Sequence, residues 1–247
     1  MVDKVFIGIG HGGGDPGAVA NGFKESHLAL SIGLACIAEL ERHGVKVKAS
    51  RTKDENDPLN EEIKECNSFG PDLAVDIHIN AGGGDGAEVW HTKNGGKGKT
   101  LAQNILNEII AIGQNSRGAK TRINSAGKDY YGFVRETKAP AVIVECAFID
   151  NKQDLSVIDT EAERKAYGKA IAKGVLKTLG IDYKKEETKI GKEKTKYKDD
   201  EKIPSWAKKG VEYVTEKGYM VGDDKGNFMP NDPVTRAQLA TILERMK

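Results

Sequence analysis

The segment VFIGIGHGGGDPG, residues 5–17, is the stretch around which the fold and the candidate site are organised. Its apolar start is typical of a buried strand, and the strand ends in a histidine set among glycines. Because glycine lacks a Cβ, we expect these glycines to leave room for a bulky substrate near His11. No GxxxxGK[ST] pattern follows, and the glycines and Pro16 disfavour the helix that a dinucleotide-binding loop would open. His11 is therefore either a core residue or a ligand.

Length and composition narrow the class of protein. The chain has 247 residues, of which 38% are hydrophobic and 30% charged, and its net charge is +1. These values predict either a single large domain or a medium domain with a small second one, and they indicate no nucleic-acid-binding face. No apolar run approaches the roughly 18 residues of a membrane span. A strand begins at once and no secretory signal is visible, so we expect synthesis in the cytoplasm without a signal peptide.

The hydrophobic periodicity predicts alternating strands and helices, and hence an α/β fold. We expect a mostly parallel or mixed sheet with helices on both faces, plus a small helical C-terminal module. Residues 117–133 show no clear periodicity. The three cysteines match neither a metal motif nor a disulfide framework, and we expect buried free thiols. The predicted helices are 25–43, 59–69, 100–112 and 161–179, and the predicted strands of the first domain are 5–9, 45–49, 72–80, 86–91 and 140–145.

Three apolar strands end in side chains that can do chemistry, namely His11, His78 and Glu145. Along the second of these strands, Asp76, His78 and Asn80 share one face because side chains alternate with period two. Polar groups at the carboxyl ends of buried strands are the usual place for a site in an α/β sheet. The pattern therefore predicts a site at this edge, with Asn80 as a candidate for contacting substrate.

Glu25 is an unusual residue for its position. It opens a predicted helix on the face that continues through the apolar Leu28, Ala29 and Ile32. A carboxylate on a core-facing stripe is normally paired or bound to a metal ion, although a glutamate in a first turn can also simply stabilise the helix dipole.

Two histidines and a carboxylate form a standard ligand set for one catalytic zinc ion. A further carboxylate would then take a proton from water and pass it to a leaving amine. The chain offers His11, Glu25 and His78 as ligands and Glu145 as the proton carrier. The HExxH and GxSxG motifs are absent, which disfavours those types of hydrolase. On chemistry alone three other residues stay open, two as ligands and one as the proton carrier: His27, His91 and Glu88.

Four motifs together resemble the zinc-dependent N-acetylmuramoyl-L-alanine amidases over about residues 3–180. They are residues 10–17 (GHGGGDPG), Glu25 at a helix start, residues 76–80 (DIHIN) and residues 144–151 (VECAFIDN). The resemblance implies that His11, Glu25 and His78 bind zinc and that Glu145 is catalytic, and it decides between Glu25 and His27. It also implies hydrolysis of the amide between N-acetylmuramic acid and L-alanine in peptidoglycan. The chain has Asp76 where the family often has serine, and Cys146 where glycine is common.

The C-terminal part of the chain has a different composition. Residues 182–202 alternate lysine with acidic residues and predict a solvated linker. Residues 203–247 regain apolar periodicity, with a helix closed by Gly218 and a second one opened by Thr235. This module resembles one S-layer homology motif, a family that attaches proteins to anionic secondary cell-wall polymers. The resemblance makes Arg236 the best candidate for polymer contact, since guanidinium recognises acidic groups.

The sequence as a whole predicts a catalytic domain over residues 1–181, a charged linker over 182–202 and a wall-binding module over 203–247. We expect a peptidoglycan amidase of the phage or prophage endolysin type. It would stay in the cytoplasm until the membrane of a Gram-positive host is breached. Two other functions stay open: a non-catalytic wall-binding protein, and a zinc peptidase that cleaves the stem peptides of the wall.

Overall fold

The computed structural model describes residues 2–185 and 195–246. The described residues divide into two compact units, one within Met1–Lys184 and the other within Lys185–Lys247. Among these residues, no helix combines the length and the apolar character needed to cross a lipid bilayer. Cys36, Cys66 and Cys146 are buried free thiols, as their spacing predicts.

The first unit is an α/β layer structure, which confirms the predicted fold class. It contains eight strands, of which two short ones form a separate hairpin, and six helices. In chain order these are β1 (Lys4–Ile9), β2 (Val19–Ala20), β3 (Phe23–Lys24), α1 (Glu25–Arg42), β4 (Lys46–Ala49), α2 (Leu59–Phe69), β5 (Leu73–Asn80), β6 (Ala87–His91), α3 (Gly96–Ala111), β7 (Ser116–Lys120), α4 (Gly132–Glu136), β8 (Ala141–Phe148), α5 (Lys152–Leu155) and α6 (Glu161–Leu179).

The main sheet is mixed, with the strand order β4-β1-β5-β8-β6-β7. β4, β1, β5 and β8 are mutually parallel, β6 is antiparallel to β8, and β7 is parallel to β6. The carboxyl ends of β1, β5 and β8 therefore meet at one edge. The pairing of β5 with β8 places His78 directly beside Glu145.

Alternation along the central strands sorts their side chains onto two faces. On β1, Ile7 joins the larger core under α1, α3 and α6, whereas Phe6 joins a smaller core under α2 and α4. On β5, Val75 and Ile77 also face the larger core. The positions between and beyond them, Asp76 and His78, consequently lie on the α2–α4 face.

The structure differs from the predicted elements mainly at the far edge of the sheet. β7 lies partly inside the segment that shows no periodicity, because this edge strand (SRGAK) carries no alternating apolar residues. β8 continues three residues beyond Glu145, and α3 begins four residues before the predicted start. The predicted ends of α1 and α6 are confirmed by glycines with positive φ, Gly44 at 79° and Gly180 at 79°.

The second unit is small and helical. It contains two short 3₁₀ turns (Asp200–Lys202 and Ser205–Ala207), α7 (Lys208–Glu216) and α8 (Arg236–Arg245). Its core consists of Tyr197, Ile203 and Val211, with Ala207 and Phe228 packed against them. α8 opens with the predicted threonine N-cap: Thr235 and Gln238 form a reciprocal capping box.

Both ends of the predicted linker, residues 182–202, make side-chain contacts. Near its start, Tyr183 stacks on His43 with ring centroids 5.0 Å apart. Near its end, Tyr197 packs on Phe228 at 5.1 Å and the Asp199 carboxylate accepts bonds from two backbone amides. Composition alone does not indicate these contacts, because single aromatic residues are averaged into a charged stretch. The intervening residues, 186–194, lie outside the described part of the chain.

Gly168 provides a test of how closely α6 crosses α1. A Cβ at this position would collide with the carbonyl oxygen of Ile32 and would lie 2.7 Å from the Cβ of Ala35. Gly168→Ala should therefore lower the free energy of unfolding by about 1–3 kcal/mol, as expected for overpacking. This sign is opposite to the usual gain of roughly 1 kcal/mol for replacing a helical glycine with alanine. Urea denaturation measures the difference.

Gly98→Ala is the matched control in the same unit. Gly98 lies in α3, and its added Cβ would meet the Ala141 carbonyl oxygen at an ordinary 3.6 Å. We expect this variant to be unchanged or slightly more stable than the wild type. A similar gain in Gly168→Ala would show that α1 and α6 do not approach as closely as described.

Candidate metal centre

Three sequence-predicted residues converge at the carboxyl edge of the sheet. His11 follows β1, His78 lies on β5, and Glu25 is the first residue of α1. Their ligand atoms all lie within 4.8 Å of one another. His11 adopts φ = 63°, a left-handed conformation that is uncommon for residues other than glycine. The backbone thus makes a sharp turn that directs this imidazole toward Glu25.

Glu25 stands at the centre of the group. Its Oε1 lies 3.2 Å from His11 Nε2 and 3.0 Å from His78 Nδ1. The same oxygen accepts a bond from the amide of Ile79 at 3.0 Å, and Oε2 accepts one from the amide of Ala18 at 2.9 Å. Glu25 is 5% exposed. These two hydrogen bonds from backbone amides hold the buried carboxylate in a single orientation.

The outward nitrogen of each imidazole also faces a carboxylate. His11 Nδ1 lies 2.8 Å from Asp15 Oδ2, and His78 Nε2 lies 3.1 Å from Asp76 Oδ2. An ionised carboxylate can only accept a hydrogen bond, so both outward nitrogens carry the hydrogen. In their neutral forms both histidines therefore direct a lone pair toward Glu25. Three electron-pair donors around one point need a cation, and this donor set fits a metal ion.

The electrostatics of the three residues agree with this arrangement. Burial would raise the pKa of Glu25, but the bonds with His11 and His78 outweigh it and lower this pKa. The bond with Glu25 raises the pKa of His11. Burial lowers the pKa of His78, yet Asp76 and Glu25 together raise it well above its ordinary value. A site that favours protons on both histidines is one where positive charge is strongly stabilised.

Glu145 lines the same cavity as His11 and His78, which has a volume of about 370 Å³. Burial raises the pKa of Glu145 to about 7. A carboxyl group with a pKa near neutrality can both accept and donate a proton. Glu145 is not part of the group of side chains that could hold a metal ion.

Glu88, the alternative to Glu145 as proton carrier, has a different set of hydrogen-bond partners. Its carboxylate accepts bonds from Arg117 Nε at 2.9 Å, Lys120 Nζ at 2.6 Å and Asn80 Nδ2 at 2.9 Å. Burial opposes ionisation, but the bonds from Lys120 and Arg117 hold the pKa of Glu88 below its ordinary value. Glu88 is thus less suited than Glu145 to carry a proton. Asn80, the predicted substrate contact, lies at the end of β5. One N–H of its side-chain amide is already used in the hydrogen bond to Glu88.

The alternative ligands His27 and His91 lie apart from the group. His27 has a side chain that is 55% exposed, and its Nε2 lies 3.4 Å from Asp54. His91 is buried, and its Nδ1 is bonded to the Thr92 carbonyl. Among the described residues, neither belongs to a group that could hold a metal ion.

The glycines near His11 have a different purpose from the one predicted. We expected them to leave room for substrate, but a Cβ at Gly10 would overlap the His78 imidazole. A Cβ at Gly17 would lie 2.6 Å from Glu25 Oε2 and 2.7 Å from His11 Cδ2. Both glycines therefore make room for the site's own side chains, a contact that sequence spacing alone does not show.

Arg51 is a residue of the site that sequence reasoning missed. It is 2% exposed, and its guanidinium donates to the carbonyls of Ile9 (2.9 Å), Gly10 (3.0 Å) and Ser26 (2.7 Å). These carbonyls immediately precede His11 and follow Glu25. Arg51 therefore ties together the two segments that carry two of the converging residues. The available signal was an arginine two residues after the end of a predicted strand.

Arg236, the predicted polymer contact, is the first residue of α8 in the second unit and is exposed. A separate cavity of about 560 Å³ lies within this unit, lined by α8 and by residues within 219–223 and 228–234. Arg236 does not line this cavity.

Comparison with known sequence families gives two matches. The profile of the N-acetylmuramoyl-L-alanine amidase family matches residues 5–177, and the profile of the S-layer homology domain matches residues 196–240. A sporulation-specific N-acetylmuramoyl-L-alanine amidase of Bacillus subtilis (strain 168) is 34% identical over 182 residues, covering 72% of this chain and 69% of that protein. An endolysin of Bacillus phage SPP1 is 32% identical over 211 residues, covering 79% of this chain and 75% of the endolysin.

The fold is also similar to solved structures. Cwp6 from Clostridium difficile superposes with a TM-score of 0.71 at 38% sequence identity. The match covers 72% of this chain and 30% of the Cwp6 chain, so the similarity concerns one part of that longer protein.

Replacing Arg51 tests its role in joining the two segments. Arg51→Lys keeps the charge, but one ammonium group cannot reach all the carbonyls that the guanidinium spans. Because each buried carbonyl left without a donor costs about 1–3 kcal/mol, we expect a loss of roughly 2–5 kcal/mol in the free energy of unfolding. Urea denaturation of metal-free protein measures it. Lys53→Ala, at a side chain that is 75% exposed, should change stability by about 0.5 kcal/mol or less; equal losses in both variants would contradict the assignment.

Proposed function

Because the chain belongs to the N-acetylmuramoyl-L-alanine amidase family, we propose that the cavity at the carboxyl edge of its sheet is where peptidoglycan is hydrolysed. The bond cleaved is the amide between N-acetylmuramic acid and L-alanine. The observation that carries the proposal is the convergence of His11, Glu25 and His78, whose ligand atoms lie within 4.8 Å of one another. Glu145 lies on the wall of the same cavity.

The metal ion of this site is proposed to be a single zinc ion, held by His11, Glu25 and His78. Two imidazoles and a carboxylate form one of the ligand sets of catalytic zinc, which leaves a position open for water. When bound, zinc polarises a carbonyl group and lowers the pKa of water toward neutrality. The hydrogen bonds from the backbone N–H groups of Ala18 and Ile79 keep Glu25 in place for this role.

Glu145 is proposed to move the proton. It accepts a proton from the attacking water as the new C–O bond forms, and it passes this proton to the alanine nitrogen as the C–N bond breaks. The products are a free lactyl carboxylate on the glycan and a free amino terminus on the peptide. Asn80 keeps one amide hydrogen beyond its bond to Glu88, and we propose that this hydrogen contacts the substrate.

The second unit is proposed to hold the enzyme on the wall. The S-layer homology match and the exposed guanidinium of Arg236 support binding to an anionic secondary cell-wall polymer. We propose a catalytic domain over residues 1–181 and a wall-binding module over 203–247. Because Tyr197 packs in the core of the second unit, we include the end of the segment 182–202 in this module. Action on a Gram-positive wall after membrane disruption, and an origin in a phage or prophage, stay predictions.

Glu145→Ala tests the division between ligands and proton carrier. The variant should lose about 10²- to 10⁴-fold in turnover because proton transfer is removed, and it should still bind one zinc ion. His11→Ala should lose zinc itself, whereas His27→Ala should resemble the wild type in both respects. Turnover is followed as release of alanine amino termini from purified walls, and zinc by elemental analysis. Loss of zinc from Glu145→Ala would mean that Glu145 is a ligand.

The same assay separates the other functions. If zinc-loaded wild-type protein releases no amino termini from several wall types, the chain is a wall-binding protein without amidase activity. If the products instead show cleavage between two amino acids, the chain is a peptidase.

Arg236→Ala tests the wall-binding unit separately. The variant should sediment less with purified walls than the wild type, while its turnover on soluble muropeptides should be unchanged. Lys209→Ala, which removes the same charge from an exposed position on α7, is the control and should sediment normally. Equal loss in both variants would indicate attraction by net charge alone.

A further inference from the structure

Asp76 is a buried carboxylate beside the metal centre, and the mechanism above gives it no role. It is 2% exposed, and it lies two residues before His78 on the same face of β5. Its Oδ2 lies 3.1 Å from His78 Nε2. We propose that Asp76 is a positioning residue that fixes the orientation and the tautomer in which His78 binds the metal ion. This inference rests on the proposed function, since it takes zinc as the ligand.

The direction of the bond leads to this role. The carboxylate of Asp76 accepts, so in the neutral form of His78 the hydrogen is on Nε2 and the lone pair is on Nδ1. Nδ1 is the nitrogen that lies 3.0 Å from Glu25 Oε1, within the metal-binding group. In the other tautomer, the Nε2 lone pair would face a carboxylate and the N–H group would point at the metal position. Asp76 therefore selects the imidazole form that can bind a metal ion.

Burial makes this bond stronger than its counterpart at His11. Asp15 makes the same kind of bond to His11, but its side chain is 68% exposed, so water competes for it. The side chain of Asp76 is 2% exposed, where a hydrogen bond is electrostatically stronger than in water. A carboxylate bonded to the far nitrogen of a metal-binding histidine also raises the basicity of the ligand.

Asp76 directs its bonding to His78 alone among the described residues. Its second oxygen, Oδ1, is buried without a hydrogen-bond partner, and the same is true of Glu62 Oε1. A Cβ on Gly8 would collide with Glu62 Oε1 and would lie 2.8 Å from Asp76 Oδ1, so a glycine leaves the space that these two carboxyl groups need. A buried carboxylate with an unpartnered oxygen is costly to keep, and the bond to His78 gives the reason for it.

Zinc affinity of the full-length chain tests the proposal. Metal-free protein is titrated with zinc chloride in competition with a chromophoric chelator, and turnover is measured separately at saturating zinc. Asp76→Ala should weaken zinc binding by roughly 10- to 100-fold, the usual effect of losing such a partner. Asp76→Asn should lose less, because its amide oxygen can accept the same bond. Zinc affinity unchanged in Asp76→Ala would overturn the proposal.

Asp57→Asn is the control for charge. Asp57 lines the same cavity but makes no bond to His78 in the described structure, so this variant removes an acidic group without altering the imidazole. Its zinc affinity should equal that of the wild type. A loss as large as that of Asp76→Ala would show that charge in the cavity, and not the bond to His78, controls affinity.

The tautomer of His78 can be observed directly in the wild type, which keeps the test independent of whether any variant folds. Nitrogen-15 chemical shifts of the zinc-loaded protein should show a hydrogen on Nε2 of His78 and zinc on Nδ1. The reverse assignment would overturn the role of Asp76. Failure of the wild type to bind zinc would instead overturn the proposed function, and the two failures are therefore distinguishable.

Discussion

The structure of the first unit around its candidate site depends on the burial of one carboxylate, that of Glu25. A buried charge is tolerated only when opposite charge and hydrogen bonds surround it. Two backbone amides and two imidazoles do this here. Three other features position the residues around it: the left-handed turn at His11, the place of His78 near the end of β5, and the guanidinium of Arg51 that joins the flanking segments. The site is thus part of what holds the fold together at this edge.

The sequence predicted the layers and the converging residues because both depend on simple periodicities. Alternation placed Asp76 and His78 on one face, and a carboxylate on an apolar helical stripe marked Glu25 as unusual. Proximity across the sheet was predictable as well, since carboxyl ends of parallel strands share an edge. The choice of metal ligand among Glu25, His27 and His91 could not be predicted from spacing, because spacing along a chain does not report distances between elements.

What the sequence could not predict are contacts made through the third dimension by residues of ordinary type. Gly10 and Gly17 make room for neighbouring side chains and not for a ligand, which becomes visible only when the surrounding atoms are placed. Arg51 donates hydrogen bonds to backbone carbonyl groups. Every residue has such a group, so the sequence does not indicate which ones Arg51 contacts. Tyr183 and Tyr197 pack within a stretch whose average composition is that of a solvated chain. In each case an individual atom contact outweighs the statistical tendency of the segment.

The pairing of His78 with Glu145 across β5 and β8 has a consequence for how the site assembles during folding. β8 lies at residues 141–148, yet it occupies the middle of the sheet between β5 and β6. A nascent chain that does not yet include this strand already contains His11, Glu25 and His78 but not Glu145. A one-residue error in the pairing would also turn Glu145 to the opposite face. Glu145 therefore joins the other three residues only when β8 is inserted into the sheet in the correct register.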